Sequence, residues 1–179
     1  MDNSGIKFYF TEQLREQDLG LLTLGADGST LSLQIPPQSK DFSYTSICYP
    51  ACTQRFFPDD GITVLSGFLH THLAGRSVKT TLVQNNIATR ELFNNPNYDF
   101  NYQFTIEIEP IILRKGDALI TECRYQTNDR DNFTFFGFST YDEMCYDFVY
   151  YYPKIPTLQT CLTQTPSAVL TSFYQSLMK

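Results

Sequence analysis

The stretch Ile62-Thr63-Val64-Leu65-Ser66-Gly67-Phe68-Leu69-His70-Thr71-His72-Leu73 predicts a β-strand that carries both histidines of this 179-residue chain. Residues i and i+2 of a strand project from the same face of a sheet, so His70 and His72 are expected to point the same way. Two imidazoles on one face form half of a metal site. The plainer interpretation is that both histidines are partly exposed polar residues with no metal between them.

The rest of the chain also favours strands. The sequence has 15 Phe and 12 Tyr but no Trp, a bias typical of β-proteins. Asp27-Gly28 and Asn85-Asn86 are hairpin-turn signals between apolar runs, and residues 102–108 alternate between apolar and polar. Thr165-Pro166 begins a predicted C-terminal helix. The sequence therefore predicts one all-β domain over residues 1–179, an antiparallel, jelly-roll-like sandwich with a short C-terminal helix.

Met144 is a candidate third metal ligand. A thioether joined to two imidazoles makes a soft donor set, which favours copper and especially Cu(I). Met144 precedes Cys145, and a disulfide there would fix the backbone beside the ligand. The plainer interpretation is an ordinary core methionine near a disulfide. The neighbouring acidic pair Asp142-Glu143, like Asp59-Asp60, is interpreted as solvated loop charge.

Charge and cysteine content restrict the class of protein. The formal net charge is -6 and the basic residues are scattered, which disfavours nucleic acid as a partner. No apolar run approaches the roughly 20 residues needed to span a bilayer, and residues 1–7 lack signal-peptide features. Five cysteines and the glycosylation sequon at Asn132 favour the secretory pathway, with the signal peptide outside this chain. Cys48-x3-Cys52 has zinc-site spacing but no matching second pair follows.

Several ordered motifs resemble one enzyme family. They are Leu65-Ser-Gly-Phe-Leu-His-Thr-His-Leu-Ala-Gly-Arg76, Gly116-Asp-Ala-Leu-Ile-Thr-Glu-Cys-Arg-Tyr125, Ser139-Thr-Tyr-Asp-Glu-Met-Cys145 and Tyr150-Tyr-Tyr-Pro153. In this order they resemble the copper type II, ascorbate-dependent monooxygenases, and the dopamine β-hydroxylase-like and tyramine β-hydroxylase-like branch more than the peptidylglycine branch. The resemblance implies an antiparallel sandwich of about eight to nine strands, a strand number typical of jelly rolls.

The resemblance also implies a function. His70, His72 and Met144 would bind one copper, where O2 is activated to hydroxylate an activated C–H bond of a phenylethylamine-like substrate, with ascorbate as the reductant. The family core has two copper domains, and this chain resembles the second. The first domain, whose copper is held by three histidines, is expected to be missing, so the isolated chain is expected not to turn over repeatedly.

Further residue roles follow from the same resemblance. It implies the disulfides Cys123–Cys145 and Cys48–Cys161, leaving Cys52 unpaired in this chain. Tyr151 and Phe148 would line the amine site, although better-known members have tyrosine at the position of Phe148. Two alternatives remain open at this point: a secreted, non-catalytic copper-binding or interaction module that keeps the site, and a disulfide-stapled domain in which the histidines are incidental.

Overall fold

The computed structural model describes residues 3–163 of the chain. Eleven strands, one short helix and one turn of 3-10 helix follow each other along this range. The strands are β1 (Gly20–Ala26), β2 (Gln34–Ile35), β3 (Phe42–Cys48), β4 (Ile62–His70), β5 (Gly75–Gln84), β6 (Ile87–Asn95), β7 (Thr105–Leu113), β8 (Ala118–Tyr125), β9 (Thr134–Phe135), β10 (Tyr146–Tyr152) and β11 (Thr160–Thr163). The helix α1 spans Pro50–Phe56, and the 3-10 turn spans Phe100–Tyr102.

Two large sheets form the sandwich. The five-stranded sheet has the order β11-β1-β10-β4-β7, and the four-stranded sheet has the order β3-β8-β5-β6. Strands β1 and β4 pack across the interior against β3, β5, β6 and β8. The short pair β2 and β9 makes a separate two-stranded sheet. The predicted all-β sandwich is therefore confirmed, with nine strands in its two main sheets.

Alternation along the strands builds the interior. In β10, Asp147, Val149 and Tyr151 are buried while the residues between them are half-buried. In β4, Val64 and Leu69 are both buried because an irregularity between Val64 and Ser66 shifts the alternation by one residue. Burying an aliphatic side chain of this size contributes roughly 1.5–3 kcal/mol, so the apolar faces of the two sheets supply most of the driving force for their association.

Both disulfides join the two sheets. Cys48 at the end of β3 pairs with Cys161 in β11, and Cys123 in β8 pairs with Cys145 immediately before β10. These are the two pairs that the resemblance implies. Each bond ties a strand of the four-stranded sheet to a segment of the five-stranded sheet.

The hairpin predicted at Asn85-Asn86 is present. β5 and β6 pair in antiparallel fashion around it, and both asparagines have positive φ, 53° and 62°. A two-residue turn with positive φ at both positions matches the right-handed twist of the flanking strands, which is why Asn is favoured there.

The hairpin predicted at Asp27-Gly28 is wrong. Gly28 does have a positive φ of 78°, but β1 pairs with β10 on one side and with β11 on the other. The next strand, β2, pairs instead with β9. The local turn signal is real, but both edges of β1 are already occupied by distant strands.

Other elements were missed or misplaced. Residues 50–56 form α1, a helix that was not predicted from the sequence and that begins with proline at its first turn. β11 was not predicted, and it pairs in parallel with β1. The strand predicted from residue 102 begins at Thr105, since residues 100–102 form the 3-10 turn. The C-terminal helix predicted after Thr165 lies outside the described residues.

Within residues 3–163, no helix is long and apolar enough to cross a lipid bilayer.

Candidate metal centre

The two histidines lie side by side at the end of β4. The strand ends at His70, and His72 lies in the turn that leads into β5. Their ring centroids are 5.1 Å apart, with the ring planes at 82°. The strand is therefore three residues shorter than predicted, but the two imidazoles still come together. His72 is buried and His70 is half-buried.

The backbone between the histidines is held in place. The N–H of Gly75 donates to the carbonyl of His72 at 3.2 Å, and a Cβ at position 75 would lie 1.8 Å from Oγ1 of Thr71. The Tyr98 hydroxyl donates to the carbonyl of Thr71 at 2.7 Å and accepts its N–H at 3.1 Å. The turn therefore requires glycine at position 75, and Tyr98 fixes the peptide groups on both sides of Thr71.

Each imidazole has one nitrogen facing an acceptor. Nδ1 of His70 lies 2.7 Å from Oε1 of Gln103, and Nδ1 of His72 lies 3.2 Å from the backbone carbonyl of Asp142. A carbonyl oxygen cannot donate, so each Nδ1 carries the proton. In both rings the lone pair is then on Nε2, which is the pattern found where a second contact sets the tautomer of a metal-binding histidine.

Met144 is fixed from several directions. Its backbone carbonyl accepts the Tyr125 hydroxyl at 2.7 Å, and the next residue, Cys145, is in the disulfide to Cys123. The side chain is almost fully buried, at 8% exposure. The methionine therefore belongs to an ordered segment in which its thioether has little freedom to rearrange.

Glu143 connects the methionine segment to the histidine turn. Its carboxylate accepts the backbone N–H groups of His72 at 2.8 Å, of Ala74 at 2.5 Å and of Met144 at 3.3 Å. A guanidinium nitrogen of Arg130 lies 3.9 Å away. Burial raises the pKa of Glu143 to about 7, and these hydrogen bonds oppose that rise.

The interpretation of Asp142-Glu143 as solvated loop charge is wrong for Glu143, whose side chain is fully buried. Its residue type gave no sign of this, because a carboxylate is rarely buried unless it is paired. The sequence feature that could have indicated a role for Glu143 is its position directly before the candidate ligand Met144. Gln103 was also missed, since the alternation of residues 102–108 placed it on a solvent face.

An aromatic surface adjoins His70. The ring of Phe68 lies 6.3 Å from the His70 ring, and the ring of Phe148 lies 6.3 Å from it. Phe68 and Phe148 are 6.2 Å apart, and Tyr146 lies 5.7 Å from Phe148. The register of β4 and β10 places His70 opposite Tyr146 and Phe68 opposite Phe148. These four residues share the face of the five-stranded sheet that points away from the interior.

The structure does not bring Tyr151 to this surface. Its side chain is fully buried, and its ring fills the space that a side chain at Gly20 would occupy. Its hydroxyl accepts the N–H of Ile155 at 3.2 Å and donates to the carbonyl of Leu158 at 3.3 Å. Phe148 is therefore near the histidines, while Tyr151 is part of the interior toward the other end of β10.

The remaining candidate residues lie elsewhere. The thiol of Cys52 is free within the described residues, and burial raises its pKa. Its sulfur lies within 4.8 Å of those of Cys48 and Cys161, but these two form a disulfide and are not thiolate ligands. Asn132 is exposed in the loop between β8 and β9, where an oligosaccharide would have room.

Comparison with known proteins decides the family. Residues 17–174 match the model of the copper type II ascorbate-dependent monooxygenase C-terminal domain. This chain belongs to that family. The family is copper- and ascorbate-dependent, and its members are monooxygenases.

Relatives agree with this family. The chain is 39% identical over 168 residues to MOXD1 homolog 1 of Drosophila melanogaster, covering 93% of this chain and 24% of that protein. It is 37% identical over 175 residues to human dopamine beta-hydroxylase, covering 97% of this chain and 27% of that protein. It is 31% identical over 175 residues to tyramine beta-hydroxylase of Caenorhabditis briggsae, covering 97% of this chain and 29% of that protein. The chain thus spans about a quarter of the length of the curated relatives it matches.

Among solved structures, dimeric latent PorU from Porphyromonas gingivalis aligns with a TM-score of 0.25 and 14% identity, covering 82% of this chain and 15% of that one. That likeness carries no argument about fold or function.

The donor set fits the metal of the family. Two imidazole Nε2 atoms and a thioether are soft to intermediate donors, which suit Cu(I) better than magnesium or calcium. Burial lowers the pKa of His70, so its ring is neutral at neutral pH, as ligation requires. The hydrogen-bonded turn at His72 and the disulfide beside Met144 hold the donor segments in place.

Proposed function

We propose that this chain is the copper-binding catalytic domain of an ascorbate-dependent monooxygenase and that His70, His72 and Met144 hold its copper. The observation that carries the proposal is the hydrogen-bond geometry of the histidines: Nδ1 of each ring faces an oxygen acceptor, which leaves Nε2 as the metal-donor atom in each. An incidental pair of histidines has no reason to share this arrangement.

Copper held by these residues would supply one-electron chemistry and the activation of O2. The protein residues contribute positioning. Gln103 and the carbonyl of Asp142 keep the proton on each Nδ1, and the Glu143 carboxylate holds the His72 turn against the Met144 segment. These contacts are made in the folded chain before any substrate binds, so the site needs little rearrangement to act.

The surface beside His70 supports an aromatic substrate. Phe68 and Phe148 present two uncharged aromatic rings next to the histidine. Offset or edge-to-face contacts between rings add roughly 0.5–1.5 kcal/mol beyond burial. We therefore infer that the substrate places an aryl group on this surface and its activated C–H bond near the ligands. Dopamine and tyramine, named in two relatives, are aryl-ethylamines of this kind.

A second domain is part of the proposal. The whole sequence contains two histidines, so it cannot supply a second copper site of three histidines. We infer that residues 1–179 are one domain that works beside a separate copper domain, and that the isolated chain does not turn over repeatedly with ascorbate. The two inter-sheet disulfides and the exposed Asn132 support folding in the secretory pathway, where thiols are oxidised.

Copper titration of the chain tests the ligand assignment. Wild type should bind Cu(I) stoichiometrically. Met144→Leu keeps the volume of the side chain and removes the sulfur. Loss of a supporting contact alone costs roughly 10–100-fold in metal affinity, so loss of a ligand should cost at least about 100-fold. An unchanged affinity in Met144→Leu would contradict the assignment of Met144, and no Cu(I) binding by wild type would contradict the metal site.

Activity requires the full-length protein. We expect ascorbate-dependent O2 uptake with aryl-ethylamines and much less with glycine-extended peptides. Copper binding without O2 uptake for any substrate would instead favour a non-catalytic module that retains the copper site.

A further inference from the structure

One short segment contacts all three residues of the His70-Thr71-His72 run. The segment 98–103 joins β6 to β7 and includes the 3-10 turn. From it, Tyr98 bonds to the backbone of Thr71 on both sides. The ring of Phe100 lies 5.9 Å from the ring of His72, at 85°, and Gln103 bonds to His70. Segment 98–103 therefore lies along the histidine run and contacts its residues one by one.

The orientation of the Gln103 amide is set by a chain of hydrogen bonds. Its Nε2 donates to the backbone carbonyl of Phe100 at 2.8 Å. Since a carbonyl only accepts, the NH2 group must face Phe100, and Oε1 must face His70. Oε1 also only accepts, so Nδ1 of His70 is the donor. The position of the proton on the His70 ring is thus set through two successive hydrogen bonds, starting from the backbone carbonyl of Phe100 in the 3-10 turn.

The three aromatic rings that contact the His70 ring do not replace this acceptor. The rings of Phe68 and Phe148 offer no hydrogen-bond acceptor in their plane, and the His72 ring meets it at a near-perpendicular angle. Without Gln103, the His70 ring could place its proton on either nitrogen or rotate about its Cβ–Cγ bond. Either change would remove the Nε2 lone pair from the metal position, because a protonated Nε2 cannot ligate a metal and a rotated ring presents a carbon there.

We propose that Gln103 is a positioning residue, which fixes both the tautomer and the ring orientation of His70 so that Nε2 is presented to the metal. The consequence for copper rests on the proposed function, but the tautomer does not, because it is a property of the chain alone. Gln103 makes no contact with substrate in this role and acts through His70.

The first measurement uses the metal-free chain. With two histidines in the sequence, nitrogen-15 NMR at about pH 8 resolves two ring systems, which a His72→Ala variant assigns. We expect the Nδ1–H tautomer for His70 in wild type and in Gln103→Glu, whose carboxylate also accepts. Gln103→Leu should shift His70 toward the Nε2–H form. A wild-type His70 in the Nε2–H form would overturn the proposal without any variant.

The second measurement is Cu(I) affinity by competition with a chelator. Gln103→Leu should lower it roughly 10–100-fold, the usual cost of losing a contact behind a metal ligand, while Gln103→Glu should retain it. Gln126→Leu is the matched control, since its side-chain oxygen accepts from the exposed Arg76, and it should bind as wild type does. Equal tautomer and affinity in Gln103→Leu and wild type would overturn the proposal. Failure of wild type to bind copper, with the tautomer as expected, would contradict the proposed function instead.

Discussion

The carboxylate of Glu143 accepts the backbone N–H of His72 at 2.8 Å, across 71 positions of sequence. The same carboxylate accepts the N–H of Met144, the third candidate ligand, at 3.3 Å. One buried side chain therefore connects the two segments that carry the ligand set. The carboxylate thus contributes directly to the relative position of the two segments.

Replacing Glu143 should destabilise the domain. Glu143→Ala leaves buried N–H groups of His72 and Ala74 without an acceptor and removes the anion beside Arg130. Each buried donor left unpaired costs roughly 1–3 kcal/mol, so we expect a loss of about 3 kcal/mol in urea denaturation. Glu143→Gln keeps one acceptor and should lose less.

Glu122 provides the control for this change. It pairs with Lys79 at 3.6 Å on a partly exposed surface, where removal of an ion pair costs less than about 1 kcal/mol. If Glu143→Ala were no more destabilising than Glu122→Ala, the buried carboxylate would not be holding the two segments together.

Removal of each disulfide should affect stability and copper binding differently. Cys48–Cys161 closes 113 positions of sequence and Cys123–Cys145 closes 22, so chain entropy assigns roughly 5 and 3 kcal/mol to them. Only the second adjoins Met144. We expect the double Ala variant of the first pair to lose more stability in urea and to keep its Cu(I) affinity. The double Ala variant of the second pair should lose less stability but bind Cu(I) more weakly. The reverse pattern of Cu(I) affinities would contradict the role given to Cys145.

Local patterns allowed part of the fold to be predicted. The Asn85-Asn86 hairpin depends on two residues that accept positive φ and on the strands beside them, and it was found from sequence. The parallel pairing of Leu24 with Cys161 joins strands with most of the chain between them, and nothing local specifies it. The same long-range pairing explains why the Asp27-Gly28 turn does not close a hairpin.

The residues of the candidate site likewise fall into those that local sequence could place and those that it could not. His70 and His72 could be paired from their spacing alone, because neighbours in sequence stay neighbours in space. Gln103 and Glu143 could not be placed, since each meets its partner only after distant strands have packed. A glutamine on an alternating strand and an acid in a loop have the same appearance whether they face water or a ligand.

Asp147 should make the stability of the domain depend on pH. Its side chain is fully buried, and within residues 3–163 neither carboxyl oxygen has a partner at good hydrogen-bond geometry. Burial raises its pKa to about 7, although the nearby Thr80 hydroxyl acts to lower it; the pKa in an unfolded chain is about 3.9. The folded state therefore holds the proton more tightly. This stabilising effect is fully present below about pH 4 and is lost as pH rises to about 7.

The variant Asp147→Asn isolates this effect. Its free energy of unfolding should be close to that of wild type near about pH 4 and greater than that of wild type above about pH 7, because the amide never ionises. Asp59→Asn is a control of opposite sign, since hydrogen bonding to Lys115 lowers the pKa of Asp59 on the surface. Wild type being the more stable of the two at about pH 8 would show that Asp147 is ionised at no cost.

Phe148 should determine the preference for aryl substrates. Its ring lies beside those of His70 and Phe68, and Phe148→Leu keeps an apolar side chain while removing the ring. Loss of a ring-to-ring contact of roughly 0.5–1.5 kcal/mol predicts a fall of up to about tenfold in kcat/KM for phenylethylamine. Measured on the full-length protein with ascorbate, kcat/KM for an aliphatic amine should change little. Phe133→Leu, at an exposed position where the ring contacts Phe135, should alter neither value. An equal fall for both amines would mean that Phe148 supports the shape of the site rather than recognising the aryl group, because a general distortion does not discriminate between substrates.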